Sequence, residues 1–311
     1  MNHARFLIVG ASGYVGSHLR AALGREFSIA TYNRTPISGG VHFDPVTMRL
    51  SGTILRGAHG LTHAFLLYGM SNIDECARNP ELAHEINVGS LKRVIDDLVA
   101  AGVVPVFASS DAVFDGSRGM WTEEDAVNPV LTYGRHKARG EQYLNQKSCP
   151  WLIVRLAKVV STAPGSVDML GDWMTQLETG TPIRCAYDQV FSPVDVDDVV
   201  RALIRLSEGS FSGIYHVCGP EPVTRLELLK MLVDEVHKYR DVSAQIVPCS
   251  IRDFDFAEPR PLNTSMSPRK LYAGLGGGFD GVSVVCARAA AQRYAREATL
   301  RAAGSAAIAR G

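Results

Sequence analysis

The segment Arg5–Gly16, RFLIVGASGYVG, decides the fold of this 311-residue chain. Its first part, Arg5–Val9, is short and apolar, as a buried β-strand is. Glycines then stand at positions 10, 13 and 16, and Val15–Leu23 has the pattern of a helix. Glycine is needed where a backbone turns sharply and where a pyrophosphate approaches main-chain amides. The order strand, G-x-x-G-x-x-G loop, helix therefore predicts a dinucleotide-binding turn.

The flanking strand and helix carry this prediction. A glycine triplet by itself is weak evidence in a chain with 29 glycines, and a purely structural strand–helix turn is the alternative. A helix that begins at the loop points its positive end at a bound pyrophosphate. The loop residues predicted to bind the cofactor are Gly10, Ser12, Gly13, Tyr14, Val15 and Gly16.

The end of the second predicted strand, Ser28–Tyr32, bears on which nucleotide is bound. NAD-binding chains place a carboxylate about 20 residues after the glycines, where it binds the ribose hydroxyls. Here the strand is followed by Asn33, Arg34 and Thr35, with no carboxylate among them. A guanidinium offers the charge and the donors that a 2′-phosphate requires. These three residues therefore favour NADP(H) over NAD(H), although an exposed surface arginine would look the same.

Strand and helix patterns alternate through the first half of the chain. Apolar strands are predicted at Thr62–Tyr68, Val103–Ala108 and Trp151–Leu156, with a long helix from Pro80 to about Ala101 and another over Tyr133–Lys147. Such alternation predicts a parallel sheet with helices on both faces. The expected fold is α/β, a Rossmann-type doubly wound sheet with a smaller, mixed α/β region for the substrate.

The pattern becomes less regular after about residue 158. We predict an NADP-binding Rossmann domain over residues 1–158 and a mainly substrate-binding region over 159–280, between which the chain can cross back. Residues 281–311 are rich in alanine and arginine, which predicts a partial helix and a tail. The last residues, 301–311, have little to bury and are expected to be disordered.

Composition excludes several classes of protein. The 32 basic residues balance 32 acidic ones, so charge gives no argument for binding nucleic acid or an anionic membrane. No stretch reaches the roughly 18 apolar residues of a membrane span. The six cysteines have neither C-x-x-C nor zinc spacing, which predicts reduced thiols in a cytoplasmic protein and no metal site.

Tyr133 and Lys137 are the candidate acid–base pair. They are four residues apart at the start of a predicted helix, so they share a face. A nearby ammonium favours phenolate, and we expect Lys137 to lower the pKa of Tyr133 for proton transfer during hydride transfer. The same helix holds a second copy of the spacing, Tyr143 and Lys147, which faces elsewhere because ten residues are not a whole number of turns.

Position selects the first pair. Tyr133 stands at the entrance of its helix, after a loop that follows a parallel strand, and ligands bind beyond the carboxyl ends of such strands. Tyr143 lies deeper in the helix, where a structural role is expected. The strand Val103–Ala108 runs into Ser109, Ser110 and Asp111, so a hydroxyl there could bind the oxygen that Tyr133 protonates. The alternative for the serines is a turn that caps the strand end.

Together these segments resemble the extended short-chain dehydrogenase/reductase family over about residues 5 to 275. The motifs that carry the resemblance are Gly10–Gly16, Asn87, Ser109-Ser110, Tyr133–Lys137 and Gly140-Glu141. The resemblance implies Ser110, Tyr133 and Lys137 as the catalytic triad. It also implies that Tyr133 and Lys137 contact the cofactor, Lys137 at its ribose, and that Asn87 supports the architecture of the site.

Three segments resemble the dTDP-4-dehydrorhamnose reductase branch of that family. They are SSDAVFDG at 109–116, DQVFSP at 188–193 and RPLNTS at 260–265. This resemblance implies an enzyme that uses NADPH to reduce a keto group on a nucleotide-linked sugar. It implies Ser110, Asp111, Gln189 and Arg260 as substrate-binding residues, and a homodimer as a common state of the family.

Two alternatives stay open. The serine pair is also similar to that of sugar epimerases, which keep NAD(P) tightly bound and work without added cofactor. The second alternative is a regulatory subunit on the same fold, resembling the beta subunit of methionine adenosyltransferase. A sugar 4,6-dehydratase is disfavoured, because Asp111 is followed by Ala112 and not by a glutamate. His136, inside the Tyr–Lys motif, is expected to lie exposed on its helix.

Overall fold

The protein is described by a computed structural model covering residues 5–57 and 60–294. Its strands are β1 (Phe6–Val9), β2 (Ser28–Tyr32), β3 (Val41–His42), β4 (His63–Leu66), β5 (Val104–Ser110), β6 (Leu152–Leu156), β7 (Val159–Val160), β8 (Ile183–Ala186), β9 (Val190–Phe191), β10 (Val194–Asp195), β11 (Gly213–Val217), β12 (Val223–Thr224) and β13 (Ile246–Cys249). Its helices are α1 (Tyr14–Leu23), α2 (Ile73–Arg78), α3 (Pro80–His84), α4 (Ser90–Ala100), α5 (Thr132–Asn145), α6 (Met169–Thr179), α7 (Val196–Glu208), α8 (Arg225–His237) and α9 (Arg269–Leu275).

Seven parallel strands form the central sheet, in the order β11-β6-β5-β4-β1-β2-β3. In the middle of the sheet, Leu7 of β1 pairs with Ile29 on one side and with Ala64 on the other. Every residue of β1 is buried, as expected where helices cover both faces of a parallel sheet. The predicted Rossmann-type sheet is confirmed, and the observed strands lie within one or two residues of most of the predicted ones.

The prediction of one continuous helix from Pro80 to about Ala101 is wrong, because the helical hydrogen-bonding pattern changes within this range. A π-helical segment, Glu85–Gly89, separates α3 from α4, and the short helix α2 precedes them. A π-helical turn adds one residue per hydrogen-bonded ring, which apolar periodicity does not reveal. The insertion changes the direction of the inward-facing side chains, among them Asn87, which is buried in this segment.

The second region has its own apolar core, built from α6, β8, α8 and residues 282–294, which are helical. Between these segments the chain returns to the sheet. Helix α7 packs on α1, and β11 pairs with β6 at the sheet edge. Helix α8 begins at Thr224, whose hydroxyl accepts from the amide of Glu227 while that carboxylate accepts from Thr224, so the capping box expected from the sequence is present.

Two further observations concern the described residues only. No helix in residues 5–57 and 60–294 is long and apolar enough to span a membrane. Within the same ranges no group of three or more His, Cys, Asp or Glu side chains is arranged to hold a metal ion. The tail predicted to be disordered, residues 301–311, lies outside the described residues.

Candidate active site

The site lies where the carboxyl ends of β1, β4 and β5 meet the start of α5. Helix α5 approaches this edge closely because residue 134 is glycine. A Cβ at Gly134 would stand 2.0 Å from the carbonyl oxygen of Ala112, far inside van der Waals contact. The YGRHK motif thus places Tyr133 and Lys137 directly against the end of β5, which carries Ser109 and Ser110.

The glycine loop fits a dinucleotide phosphate. Helix α1 begins after Gly13, which offers no side-chain cap, and its first turn has no acidic residue. Its first amides are therefore not occupied by a capping side chain, as an anion site at a helix start requires. A Cβ at Gly16 would lie 2.3 Å from the carbonyl oxygen of Gly10, so the turn depends on glycine there.

The other predicted cofactor-binding residues of the loop, Ser12, Tyr14 and Val15, have different surroundings. Ser12 is half-buried within the turn, and Val15 packs against the main apolar core. The Tyr14 hydroxyl donates to Asp168 Oδ2 at 2.9 Å, and its ring packs edge-on to His18. Burial and the Asp168 carboxylate both raise the pKa of Tyr14, so this phenol stays neutral and joins the loop to the start of α6.

The end of β2 is open to solvent. Asn33, Arg34 and Thr35 are all exposed, and Arg34 forms no ion pair with any described residue. The neighbouring carboxylate, Asp44, is held by its own turn, because it accepts from the amide of Val46 at 3.0 Å. An exposed guanidinium without a carboxylate partner is free to bind a phosphate, and the contact with a 2′-phosphate stays a prediction.

Ser110 and Asp111 form a hydrogen-bonded unit at the end of β5. The Ser110 hydroxyl donates to Asp111 Oδ1 at 2.9 Å, and the Thr264 hydroxyl donates to Asp111 Oδ2 at 2.9 Å. Burial raises the pKa of the Asp111 carboxyl, against the lowering effect of these two hydroxyls. The strand runs through both serines, and Ser110 also caps the 3₁₀ turn Asp111–Val113, because its Oγ accepts from the amide of Ala112 at 3.2 Å. The turn that caps the strand end is therefore present at Ser110.

Lys137 supports the site from beneath Tyr133. Its Nζ donates to the carbonyl oxygen of Ala108 at 2.6 Å and lies 5.6 Å from the centre of the Tyr133 ring. Burial lowers the pKa of Lys137 to about 8, with the Glu141 carboxylate opposing that shift. The ammonium is therefore mostly charged at neutral pH.

The expectation that the pKa of Tyr133 is lowered is wrong: the net shift is upward, although Lys137 Nζ lies 5.6 Å from the ring centre. Burial raises the pKa of Tyr133, and the Asp111 carboxylate raises it further, while a hydrogen bond with Ser110 lowers it. The reason is that a phenolate would be desolvated and would face a carboxylate. Tyr133 is accordingly a neutral phenol, which is the form that donates a proton.

Asn87 fixes the loop after β4. Its Oδ1 accepts from the amide of Met70 at 2.7 Å, and its Nδ2 donates to the carbonyl of Met70 at 2.9 Å. Both arms of the side-chain amide therefore bind the backbone of one residue, Met70, in the loop that borders the glycine turn. This geometry fits the structural role that the family resemblance implies.

A buried ion pair behind the site was not anticipated. Arg155 on β6 and Glu141 on α5 are 2% and 6% exposed, and they form a two-pronged pair, Nε to Oε1 at 3.0 Å and Nη2 to Oε2 at 2.7 Å. Ser109 also donates to Glu141, and Arg155 Nη1 lies 3.2 Å from His216 Nε2. The pair ties α5 to β5 and β6 one helical turn after Lys137.

His136 is buried, not exposed as the sequence suggested. Only 4% of it is accessible, its ring packs edge-on to His84, and Nδ1 has no hydrogen-bond partner. Helix α2, which the sequence analysis did not find, packs on α5 and helps to cover this face. Burial lowers the pKa of His136 to about 4, with His84 contributing, so the ring is neutral.

The second Tyr–Lys pair lies away from the strand ends. The Tyr143 hydroxyl donates to Asp96 at 2.7 Å, and Lys147 Nζ donates to the same carboxylate at 2.6 Å and to the Tyr143 oxygen at 3.0 Å. Asp96 belongs to α4, so this pair fastens two neighbouring helices at the surface. The second pair therefore stabilises the packing of α5 on α4, as the sequence led us to expect.

The remaining predicted substrate residues have protein partners. Gln189 accepts from Arg225 Nε at 3.1 Å, and Arg225 with Lys158 lines a cleft of ≈ 330 Å³ beside α6. Arg260 pairs with Asp74 of α2 at 2.8 Å and is 10% exposed in its side chain. The sequence did not single out Lys158 or Arg225, since isolated cations carry no motif.

The sequence and the fold were compared with those of known proteins. Residues 4–279 match the model of the RmlD substrate binding domain. The chain belongs to the RmlD substrate-binding family. Within this family, the chain is 23% identical over 288 residues to the dTDP-4-dehydrorhamnose reductase of Sinorhizobium fredii, with 88% of this chain and 92% of that protein covered.

A second kind of relative is named as a subunit of a different enzyme. Methionine adenosyltransferase 2 subunit beta of Mus musculus is 26% identical over 245 residues, covering 74% of this chain and 71% of that protein. Among solved structures, dTDP-4-dehydrorhamnose reductase of Bacillus anthracis in complex with NADP superposes with a TM-score of 0.78 at 21% identity, covering 92% of this chain and 98% of that one. At this identity the structural likeness establishes the shared fold of the RmlD family.

Proposed function

We propose that the protein uses NADPH to reduce a keto group on a nucleotide-linked sugar. One observation carries the proposal: the Ser110 hydroxyl, the neutral Tyr133 phenol and the Lys137 ammonium meet at the end of β5, beside a glycine loop that fits a dinucleotide. The sequence relative from Sinorhizobium fredii is a reductase of this kind, and the Bacillus anthracis structure contains NADP.

Gly10, Gly13 and Gly16 would hold the cofactor pyrophosphate, and Asn33, Arg34 and Thr35 would hold the adenosine 2′-phosphate. Bound there, NADPH supplies a hydride for the keto carbon of the substrate. Residues 33–35, directly after β2, include no carboxylate, which supports NADPH over NADH because a carboxylate there would repel the 2′-phosphate.

Tyr133 acts as the general acid in this proposal. Its pKa is raised, so the phenol is fully protonated at neutral pH and can give its proton to the oxygen of the substrate carbonyl. Ser110, whose hydroxyl now donates to Asp111, orients and polarises that carbonyl. Lys137 stabilises the phenolate that remains after the transfer, since its ammonium lies under the ring.

The cleft beside α6 fits the nucleotide end of the substrate. Lys158 and Arg225 line it beside two carboxylates, Asp168 and Asp172, and Gln189 orients the Arg225 guanidinium. In this proposal the two cations bind the diphosphate. Asp168 joins this cleft to the glycine loop through Tyr14, so the cofactor and substrate regions share a wall. A guanidinium and an ammonium together are well suited to phosphate oxygens.

A non-catalytic subunit with a regulatory role is the second candidate, because relatives named as the beta subunit of methionine adenosyltransferase 2 match this chain. It predicts cofactor binding without turnover. An NADPH-oxidation assay across a panel of 4-keto nucleotide sugars tests both. Stoichiometric NADPH consumption with one of these sugars is expected; turnover without added NADPH would indicate an epimerase, and tight NADPH binding with no turnover on any sugar would favour the regulatory role.

A further inference from the structure

A segment of the second half of the chain, residues 257–264, crosses the site and is here called the strap. It contacts the two elements that bear the proposed catalytic groups and also contacts α2. Glu258 binds the start of α5, Arg260 binds Asp74, and Thr264 binds Asp111. These contacts join residues more than 120 positions apart in sequence, so no local pattern in the sequence reveals them.

The strap supplies a cap that α5 lacks. The residue before the helix is Leu131, which has no side-chain group to bind the first amides. Glu258 takes that role: its Oε2 accepts from the amide of Thr132 at 2.9 Å, and its Oε1 accepts from the Thr132 hydroxyl at 2.7 Å. Arg135 Nη2 also donates to Oε1 at 3.0 Å. A carboxylate at a helix start is favoured by the helix dipole as well as by these hydrogen bonds.

The capped residue is the immediate neighbour of Tyr133. At the other end of the strap, Thr264 donates to the Asp111 carboxylate, which accepts from Ser110. The strap therefore holds the helix that carries the phenol and the strand end that carries the hydroxyl. Its middle and its first residue are anchored to Asp74 Oδ1, which accepts from Arg260 Nη2 at 2.8 Å and from the amide of Ala257 at 2.9 Å.

We propose that Glu258 is a positioning residue for the reaction: by capping α5 it fixes Tyr133 relative to Ser110. The inference rests on the proposed function, and it assigns to the strap a task beyond binding substrate. Glu258 does not contact Tyr133 and takes no proton in the reaction. Its effect is on the placement of the phenol, for which an error of 1 Å can cost about 10²-fold in rate.

The chain offers a matched control in Asp125. This carboxylate also accepts from the amide and the hydroxyl of one threonine, Thr122, at 2.7 and 2.9 Å, and it also pairs with an arginine, Arg118. It stabilises a surface turn and not the catalytic helix. Glu258→Ala and Asp125→Ala therefore remove equivalent interactions at two places, and the two variants should lose a similar, small part of their stability.

Steady-state kinetics and amide hydrogen exchange on the full-length protein decide the matter. We expect Glu258→Ala to lower kcat roughly 10- to 100-fold with the KM for NADPH little changed, and Asp125→Ala to keep kcat within twofold. Glu258→Gln retains an oxygen for the Thr132 amide and should recover most of kcat. Exchange over residues 132–136 should be at least tenfold faster in Glu258→Ala only.

The opposite results are distinct. If Glu258→Ala keeps the kcat of the Asp125→Ala control, or exchanges no faster over residues 132–136, the positioning role is wrong. If the wild-type protein turns over no keto sugar, the proposed function fails. The exchange comparison then still decides whether Glu258 fixes the start of α5, because it needs no substrate.

Discussion

Two Tyr–Lys pairs with the same spacing lie in different environments along α5. The first pair and Tyr143 belong to the helix, whereas Lys147, which the sequence placed in it, stands two residues beyond its end at Asn145. Near the start of the helix, Tyr133 and Lys137 face the end of β5, where burial raises the pKa of the phenol and lowers that of the ammonium. Ten residues later, Tyr143 and Lys147 share the Asp96 carboxylate at the surface, which raises the pKa of Lys147. The motif brings the two groups together in both cases, and only the surroundings of the first pair suit it to proton transfer.

Loss of the acidic residue beside each Tyr–Lys pair should change the free energy of unfolding by very different amounts. Glu141→Ala leaves Arg155 buried without its partner, which typically costs 3–5 kcal/mol in the free energy of unfolding. Asp96→Ala removes an exposed partner of Lys147 and should cost about 1 kcal/mol or less. Urea denaturation of both variants measures this difference. Equal losses would mean that the two ends of α5 are not supported differently.

The two lysines should differ in catalysis. Lys137→Met removes the cation beneath Tyr133, and loss of one preorganised charge-stabilising donor typically costs 10²–10³-fold in kcat. Lys147→Met should leave kcat within about twofold, because its ammonium binds Asp96. Steady-state NADPH oxidation with the reducible sugar is the assay. A similar loss in both variants would show that the second pair also takes part.

How much of this follows from sequence can be judged on particular residues. The glycine loop, β2 with its Asn33–Thr35 end, and the entry of α5 at Tyr133 are encoded by local patterns, and the structure places them as predicted. The burial of His136, the Glu141–Arg155 pair and the cap from Glu258 depend on chain segments that meet only in the folded state. Local periodicity does not contain that information, which is also why the π-helical turn at Asn87 was missed.

The burial of His136, between the two residues of the first motif, has a consequence for stability. In the fold its pKa is about 4, whereas in the unfolded chain it is near 6.5. Between these values the unfolded chain binds more protons, so the free energy of unfolding falls as the pH falls. This amounts to about 2 kcal/mol between pH 6.5 and pH 5 for one residue. Urea denaturation should show a correspondingly smaller acid loss in His136→Gln; an identical loss would place His136 at the surface.

The two lysines should differ least in their effect on the pH dependence of kcat/KM. The active forms are charged Lys137, whose pKa is about 8, and neutral Tyr133, whose pKa is raised. The kcat/KM for reduction should therefore be level at neutral pH and fall by up to tenfold per unit above about pH 8. Lys147 has a raised pKa and contributes nothing in that range. A profile that rises through pH 8 would contradict these assignments.

The central claim is that environment, and not spacing, makes the first pair catalytic. It is tested most directly by NADPH oxidation with Tyr133→Phe and Tyr143→Phe, each compared with the wild-type protein on the same keto nucleotide sugar. We predict that Tyr133→Phe lowers turnover by about 10²–10⁴-fold, as expected when a general acid is removed. We predict that Tyr143→Phe keeps turnover within about twofold, because its hydroxyl binds Asp96 and Lys147 away from the strand ends. Undiminished turnover in Tyr133→Phe, or an equal loss in both variants, would contradict the account.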